Sequence, residues 1–179
     1  MIDITPYGMT SSEQLISIGG VYTNVKVTQD SYYQARTNLM GKDIFDSSWV
    51  SDANEPPHWV CIDYGIPMIF SKLSVVDAGD VIVQTVKDYS IQTSSDGINF
   101  KTVFSGTSPN GQTYVPGRPS ALITAEFPSS IGNMIRFYVS SKYYRSGYGW
   151  TQLRSMKIYG NFGSIYEALK NQDSLYGYK

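Results

Sequence analysis

The sequence predicts an all-β fold, an antiparallel β-sandwich followed by a short C-terminal helix. Three observations predict it. Short runs rich in β-branched residues recur along most of the 179 residues, several runs alternate apolar and polar positions, and turn residues separate them. Hydrophobic residues make up 41% of the chain, which is enough for a core of its own.

The predicted strands begin with VYTNVKVT (Val21 to Thr28), and HWVCIDYG follows two prolines. In MIRFYVSS, the apolar Ile135, Phe137 and Val139 alternate with more polar side chains, as in a half-buried strand. The other predicted strands are KLSVV, DVIVQTV, DYSIQTS, INFKTVF, SALITAEF and SMKIYG. Breakers that end runs include Pro56-Pro57, Gly79 and Ser129-Ser130.

A hairpin and a helix complete the predicted elements. Asp96-Gly97 lies between two alternating runs, which is a strong hairpin signal. In GSIYEALKNQ, Ser164 precedes Glu167 at capping-box spacing, which predicts a short helix. We therefore divide the chain into a leading extension (1–23), the sandwich (24–160), and a helix with its tail (161–179).

Composition and charge exclude several classes of function. The net charge is −1 and no basic block occurs, so the chain lacks the electrostatic pattern of a nucleic-acid binder. Its single cysteine, Cys61, cannot form an internal disulfide. No apolar run is long enough to span a bilayer, and the N-terminal residues lack the pattern of a signal peptide.

Four motifs in order connect the chain to a known family. HWVCIDYG matches W-I-x-V-D-L-G from Trp59 to Gly65, and the hairpin matches V-x-x-Y-x-I-x-x-S-x-D-G-x-x-W with Phe100 at the tryptophan position. MIRFYVSS and LRSMKIYG match the strands R-Y-V-R-I-x and E-I-x-V-Y-G. From about Asn24 to Gly160 the chain thus resembles discoidin (coagulation factor 5/8 type C) domains, close to family 32 carbohydrate-binding modules. The resemblance implies a galactose-binding-like jelly roll of about eight strands.

The resemblance also implies a structural Ca²⁺ near the first loop, although two ligand positions differ. The family's Asp and Glu correspond here to Met40 and Ser155. Ca²⁺ takes about six to eight oxygen ligands, so we predict that Asp43 and Asp46 would substitute if the ion is bound. No other cofactor is expected. The family's galactose-contacting Arg and Asn are absent from DAGDVIVQTVKD, so galactose specificity does not carry over.

The first predicted ligand site is the loop KYYRSGYGWTQ. Its tyrosines Tyr143, Tyr144 and Tyr148 surround Arg145, and such rings and polar tips suit the apolar and hydroxyl faces of a sugar. Trp150 in the same loop is expected in the core, since tryptophan is usually well buried.

The second predicted ligand site is FDSSWVSDANEPPH. Here Trp49, Asp52 and His58 are the candidate contacts, with His58 expected to be exposed at the loop margin. The alternatives are a structural Trp49, as the resemblance implies, and a His58 that is only a loop residue. Enzymatic chemistry is not predicted, because His58 and Cys61 point to opposite faces of a strand.

The sequence therefore predicts a non-catalytic module that binds carbohydrate on a glycosylated cell surface. Without a signal peptide, a disulfide or a glycosylation sequon, such a module suits host recognition by a phage tail or baseplate, or adhesion by a bacterial surface protein. The predicted location is extracellular or on a virion, and the cytoplasm stays open. The alternative is a protein-interaction module that assembles with partners through its C-terminal tail.

Overall fold

The computed structural model describes residues 1–9, 12–31, 49–52, 54–77, 85–108, 122–143 and 150–163. The elements in these ranges are β1 (Ile2–Asp3), β2 (Glu13–Ile18), β3 (Val21–Gln29), β4 (Trp49–Val50), β5 (His58–Asp77), β6 (Asp88–Ser94), β7 (Lys101–Thr107), β8 (Leu122–Val139) and β9 (Gln152–Phe162). Their pairings are antiparallel, in the order β1-β9-β5-β8-β6-β7, with β2 on β3, β3 on β5 and β4 on β9. These strands confirm the predicted all-β sandwich.

Two long strands, β5 and β8, belong to both layers of the sandwich. In the first part of β5, Ile62 pairs with Val27 of β3 on one side and Ile135 of β8 on the other. In its second part, β9 replaces β3 as the neighbour, and Val75 pairs with Met156. The hydrogen-bonded sheet therefore folds over on itself, and its two halves face each other across the core.

The fold in β5 lies at residues 64–67, where its register with β8 shifts between Asp63 and Met68. Gly65 has a φ of +66°, which favours glycine, and its N–H donates to Asp63 Oδ1 at 2.8 Å. A Cβ at Gly65 would lie 3.2 Å from the carbonyl oxygen of Asn24. The sequence therefore turns the strand at this point without ending it.

The structure joins runs that the sequence predicts as separate strands. HWVCIDYG and KLSVV form one β5, and SALITAEF and MIRFYVSS form one β8, so the predicted break at Ser129-Ser130 is wrong. Phe70 pairs with Ser130, but Lys72 pairs with Glu126, so extra β8 residues bulge here. A bulge tolerates Pro128, which lacks an N–H for the ladder.

The core fills the space between the two layers. Tyr64 lies at the start of the fold in β5 and Phe70 lies beyond it, and their ring centroids are 5.7 Å apart. The Tyr64 hydroxyl donates to the carbonyl of Ile4 at 3.0 Å, which ties the N-terminal segment to the core. Phe137 of β8 is fully buried between the layers. Each such side chain contributes about 1.5–3 kcal/mol by leaving water.

The predicted hairpin is confirmed as β6 and β7. The carboxylate of Asp96 accepts the backbone N–H groups of Asn99 at 2.8 Å and Ile98 at 2.9 Å. These bonds, with those from the side chains of Asn99 and Ser94, hold the pKa of Asp96 well below its usual range. The turn is thus fixed by its aspartate, as the Asp-Gly signal predicts.

Several predictions lie outside the described residues. They are the C-terminal helix with Ser164 and Glu167, and most of the predicted strand DVIVQTV. The division into 1–23, 24–160 and 161–179 stays a prediction, although β1 and β2 are hydrogen-bonded to the sheet. Within the described ranges no helix has the length and hydrophobicity needed to cross a membrane.

Candidate functional site

One end of the sandwich brings together the segments that the sequence predicts as ligand loops. The Ser51 N–H donates to the carbonyl of Thr151 at 2.9 Å, and the Thr151 N–H donates to Ser51 Oγ at 2.8 Å. The Tyr143 N–H donates to the carbonyl of Thr85 at 3.1 Å. The ammonium of Lys142 lies 3.8 Å from Glu55 Oε2. The described segments that border the predicted loops therefore meet at one place, which we call the loop end. It includes residues 49–52, 54–58, 85, 142–143 and 151.

Some of the predicted site residues are placed at the loop end, and others are not described. Trp49, Asp52, His58 and Tyr143 lie there, whereas Tyr144, Arg145 and Tyr148, and the proposed calcium ligands Asp43 and Asp46, lie outside the described residues.

His58 is buried at the loop end, with 1% of its surface exposed. Its Nδ1 lies 2.8 Å from Asp30 Oδ2, and its Nε2 lies 3.0 Å from the carbonyl oxygen of Asn54. The expectation of an exposed histidine is therefore wrong, because the sequence does not show that Asp30, directly after the end of β3, reaches the ring. Contact between His58 and a ligand would require this arrangement to open.

The His58–Asp30 pair shifts the titration of both groups. Burial alone would lower the pKa of His58, but its hydrogen bonds with Asp30 and Asn54 outweigh burial and raise it. Burial alone would raise the pKa of Asp30, but hydrogen bonds from His58, the Trp59 N–H and Ser31 outweigh burial and lower it. Both shifts favour the charged pair.

The pair predicts a pH-dependent stability. The raised pKa of His58 means that its contribution is complete below the unfolded value of about 6.5 and is lost as pH rises through the folded value. The lowered pKa of Asp30 means that its contribution is complete above about 3.9 and is lost as pH falls through the folded value. Asp30→Asn should therefore destabilise the chain more at about pH 5.5 than at about pH 9, as measured by urea unfolding.

A matched control for this prediction is Glu126→Gln. Glu126 pairs with Lys72 at 2.9 Å on the surface and involves no histidine, so its small effect should be flat over the same pH range. An Asp30→Asn effect that is equally flat would contradict the prediction.

Trp49 is also buried, with 2% of its surface exposed. Its indole N–H donates to the carbonyl of Ser31 at 3.0 Å, and its ring meets His58 edge-on with centroids 6.5 Å apart. The Ser31 hydroxyl in turn accepts the N–H of Asp52 at 3.3 Å. Trp49 thus supports the segments around it, in line with the structural alternative.

Asp52 and Tyr143 are the described candidates that reach the surface. Asp52 accepts both the backbone N–H of Asn54, at 3.1 Å, and its side-chain amide, at 2.6 Å. The Tyr143 hydroxyl donates to the carbonyl of Ser108 at 3.3 Å. Both side chains are partly exposed, and carboxylate and phenol groups at such a rim can exchange hydrogen bonds with a polar ligand.

Lys142 is a residue of the loop end that sequence reasoning missed. Its side chain is almost fully buried, and burial lowers its pKa although Glu55 and Asp52 attract the charge. A lysine at the start of a polar loop gives no signal of burial in the sequence. The backbone of Lys142 forms an antiparallel β-bridge with Val86, which holds this segment against the sheet.

Cys61 lies on the other face of β5 from His58, as the period of two predicts. Burial raises the pKa of Cys61 to about 12, so its thiol stays neutral and weakly nucleophilic. No three His, Cys, Asp or Glu side chains in the described ranges are arranged to hold a metal ion. The predicted Ca²⁺ stays a prediction, and Ser155 offers no carboxylate to it.

Comparison with known proteins gives one family match. Residues 21–156 match the F5/8 type C domain. No curated protein matches the chain by sequence.

Solved structures share the fold at low sequence identity. CpGH89CBM32-5 from Clostridium perfringens, in complex with GalNAc-β-1,3-galactose, is 14% identical with a TM-score of 0.61, over 76% of this chain and 95% of that one. Chitosan-binding module 2 of a Paenibacillus sp. IK-5 chitosanase/glucanase, in complex with chitotriose, is 20% identical with a TM-score of 0.58. The match covers 75% of this chain and 95% of that one. The C-terminal domain of a Bacteroides fragilis chitobiase is 13% identical with a TM-score of 0.61. The match covers 91% of this chain and 100% of that one.

Proposed function

Because the chain belongs to the F5/8 type C domain family, we propose that it is a non-catalytic module that binds carbohydrate at the loop end. The family match over residues 21–156 carries this proposal, and it confirms the resemblance predicted from the four motifs. Several solved neighbours with this fold hold a bound sugar, which supports the same class of ligand.

The geometry of the loop end supports a rigid binding scaffold. Buried Trp49 and the His58–Asp30 pair fix the segments on which the rim is built. Asp52 and Tyr143 then place polar groups at the surface beside the loop that contains the predicted contacts. A scaffold that is ordered before binding loses less entropy when a ligand arrives.

A glycan array with the chain displayed in many copies tests this proposal, since single-site affinity for sugars is often weak and multivalent display raises it. We expect binding to a limited set of glycans, reduced by about tenfold or more in Tyr144→Ala and Arg145→Ala. The matched control is Tyr22→Ala, because Tyr22 is 72% exposed and lies at the opposite end of β3 from the loop end.

An array without binding would overturn the proposal, as would binding that both loop variants leave unchanged. If no glycan binds, a protein partner that the wild type captures and that Tyr144→Ala and Arg145→Ala do not capture would favour the alternative, a protein-interaction module. The setting on a phage tail, baseplate or bacterial surface stays a prediction. Light scattering bears on it, since a stable trimer or hexamer would favour a virion part and a monomer a single module.

A further inference from the structure

The outer face of the layer formed by β3, β5, β8, β6 and β7 has an aromatic cluster around one arginine. Trp59 and Tyr138 are direct partners across β5 and β8, and Arg136 is two residues from Tyr138. Their neighbours along the strands, such as Val60 and Phe137, are buried in the core. The period of two therefore presents the cluster to solvent, and each of its rings is partly exposed.

Arg136 is held at the centre of this cluster. Its guanidinium carbon lies 3.7 Å from the ring centroid of Phe100, 5.3 Å from that of Tyr138 and 5.6 Å from that of Trp59. Its Nε donates to Gln92 Oε1 at 2.8 Å, and its Nη2 donates to the same oxygen. These contacts fix the orientation of the guanidinium before any ligand arrives.

The charge of Arg136 has no carboxylate partner among the described residues. Gln92 is neutral, and the rings supply only cation–π attraction. The carboxylates on this face have other partners. Asp63 accepts the Gly65 N–H, and Asp88 accepts the hydroxyls of Thr107 and Ser141 and lies 3.8 Å from Lys87 Nζ. A partly buried cation with neutral neighbours can form a strong charge-assisted bond with an incoming anion.

Two adjoining cavities lie along this face. One, of about 240 Å³, is lined by Trp59, Phe100 and Arg136, and its charged lining also includes Lys26 and Asp63. The other, of about 490 Å³, is lined by Tyr138, Ser90 and Thr102, with Asp88 at its margin as the charged residue. Because Trp59 pairs directly with Tyr138, the two cavities are neighbours on this face, and we refer to them together as the groove.

We propose that this groove is a second carbohydrate-binding site, separate from the loop end, for an extended glycan chain that carries carboxylates, such as a uronate-containing oligosaccharide. The faces of Trp59 and Tyr138 suit the C–H faces of sugar rings, and Ser90 and Thr102 suit their hydroxyls. Arg136 pairs with a sugar carboxylate. This proposal rests on the proposed function only for the class of ligand, carbohydrate. None of the ligand contacts predicted at the loop end takes part in it.

The test is isothermal titration calorimetry with a galacturonate hexamer, and with an N-acetylglucosamine hexamer as the neutral probe. We expect the wild type to prefer the acidic chain. Trp59→Ala and Arg136→Gln should weaken its binding by about tenfold or more, because each removes a ring face or the paired charge. Ser90→Glu should do the same by repulsion, and as a surface substitution it should leave the fold intact.

The matched control is Tyr159→Ala on the other layer. Tyr159 also has a cation over its ring, Lys72 Nζ at 5.5 Å, but it lies far along the sheet from the groove. Thermal unfolding of each variant separates lost binding from lost structure. The groove proposal is overturned if the wild type binds no acidic chain, or if Ser90→Glu and Arg136→Gln bind it as the wild type does. If only Tyr144→Ala and Arg145→Ala lower glycan binding, the loop-end proposal holds and the groove proposal fails.

Discussion

Replacing Trp49 by alanine is expected to lower the free energy of unfolding by about 3–5 kcal/mol. The indole is almost fully buried at the loop end, so its removal leaves a large cavity next to His58. It also removes the donor to the carbonyl of Ser31. Urea unfolding followed by circular dichroism measures the change.

Trp59→Ala is the matched control for Trp49→Ala. Trp59 is a partly exposed tryptophan on the outer face, and its loss should cost about 1 kcal/mol or less. Equal losses for the two variants would contradict a structural role for Trp49. Trp49→Phe provides a further check, since it should keep glycan binding if the ring acts only by filling space.

Gly160→Ala is expected to destabilise the chain by about 3 kcal/mol or more. A Cβ at this position would lie 2.0 Å from the carbonyl oxygen of Ile69 and 3.1 Å from Cδ1 of Ile4. The carbonyl belongs to the backbone of β5, which pairs with β9 here, so it cannot move without breaking the ladder. Denaturant unfolding measures the loss.

Two controls separate crowding at Gly160 from other causes. Asn161→Ala changes the exposed neighbour on the same strand and should alter stability by about 0.5 kcal/mol or less. Gly8→Ala adds a Cβ in open space at a φ of +77°, so it reports backbone strain without a clash. A Gly160→Ala variant as stable as Asn161→Ala would show that β5 and β9 can separate there at little cost.

The period of two and the turn signals predict much of the fold. The alternation in MIRFYVSS places Ile135, Phe137 and Val139 in the core, and Asp96-Gly97 forms the predicted turn. The sequence does not reveal that β5 and β8 continue through their predicted breaks, because a bulge and a turned strand carry the same breakers as a loop. The sequence also does not show why position 160, at the end of the closing motif, is a glycine. The reason is the close approach of the Ile69 carbonyl, which only the structure shows.

The sites are less predictable than the fold. His58 has the sequence context of a loop residue, and its burial depends on Asp30, 28 positions earlier in the chain. The cluster around Arg136 joins residues from two strands, β5 and β8, and from the β6–β7 hairpin, so no short motif marks it. The sequence does predict the alternation that puts Trp59 and Cys61 opposite His58, but not which outward side chains meet.

The alternation along β5 sets what kinds of sequence change the chain can accept. His58 anchors the loop end and Trp59 lines the groove, and they are adjacent residues with opposite orientations. A single insertion or deletion in this part of β5 would exchange the two faces, placing Trp59 in the core and His58 in the groove. Substitution at outward positions leaves the core unchanged. New ligand preferences in this scaffold are therefore accessible by point mutation on either surface, whereas a change of length in β5 would disrupt both surfaces at once.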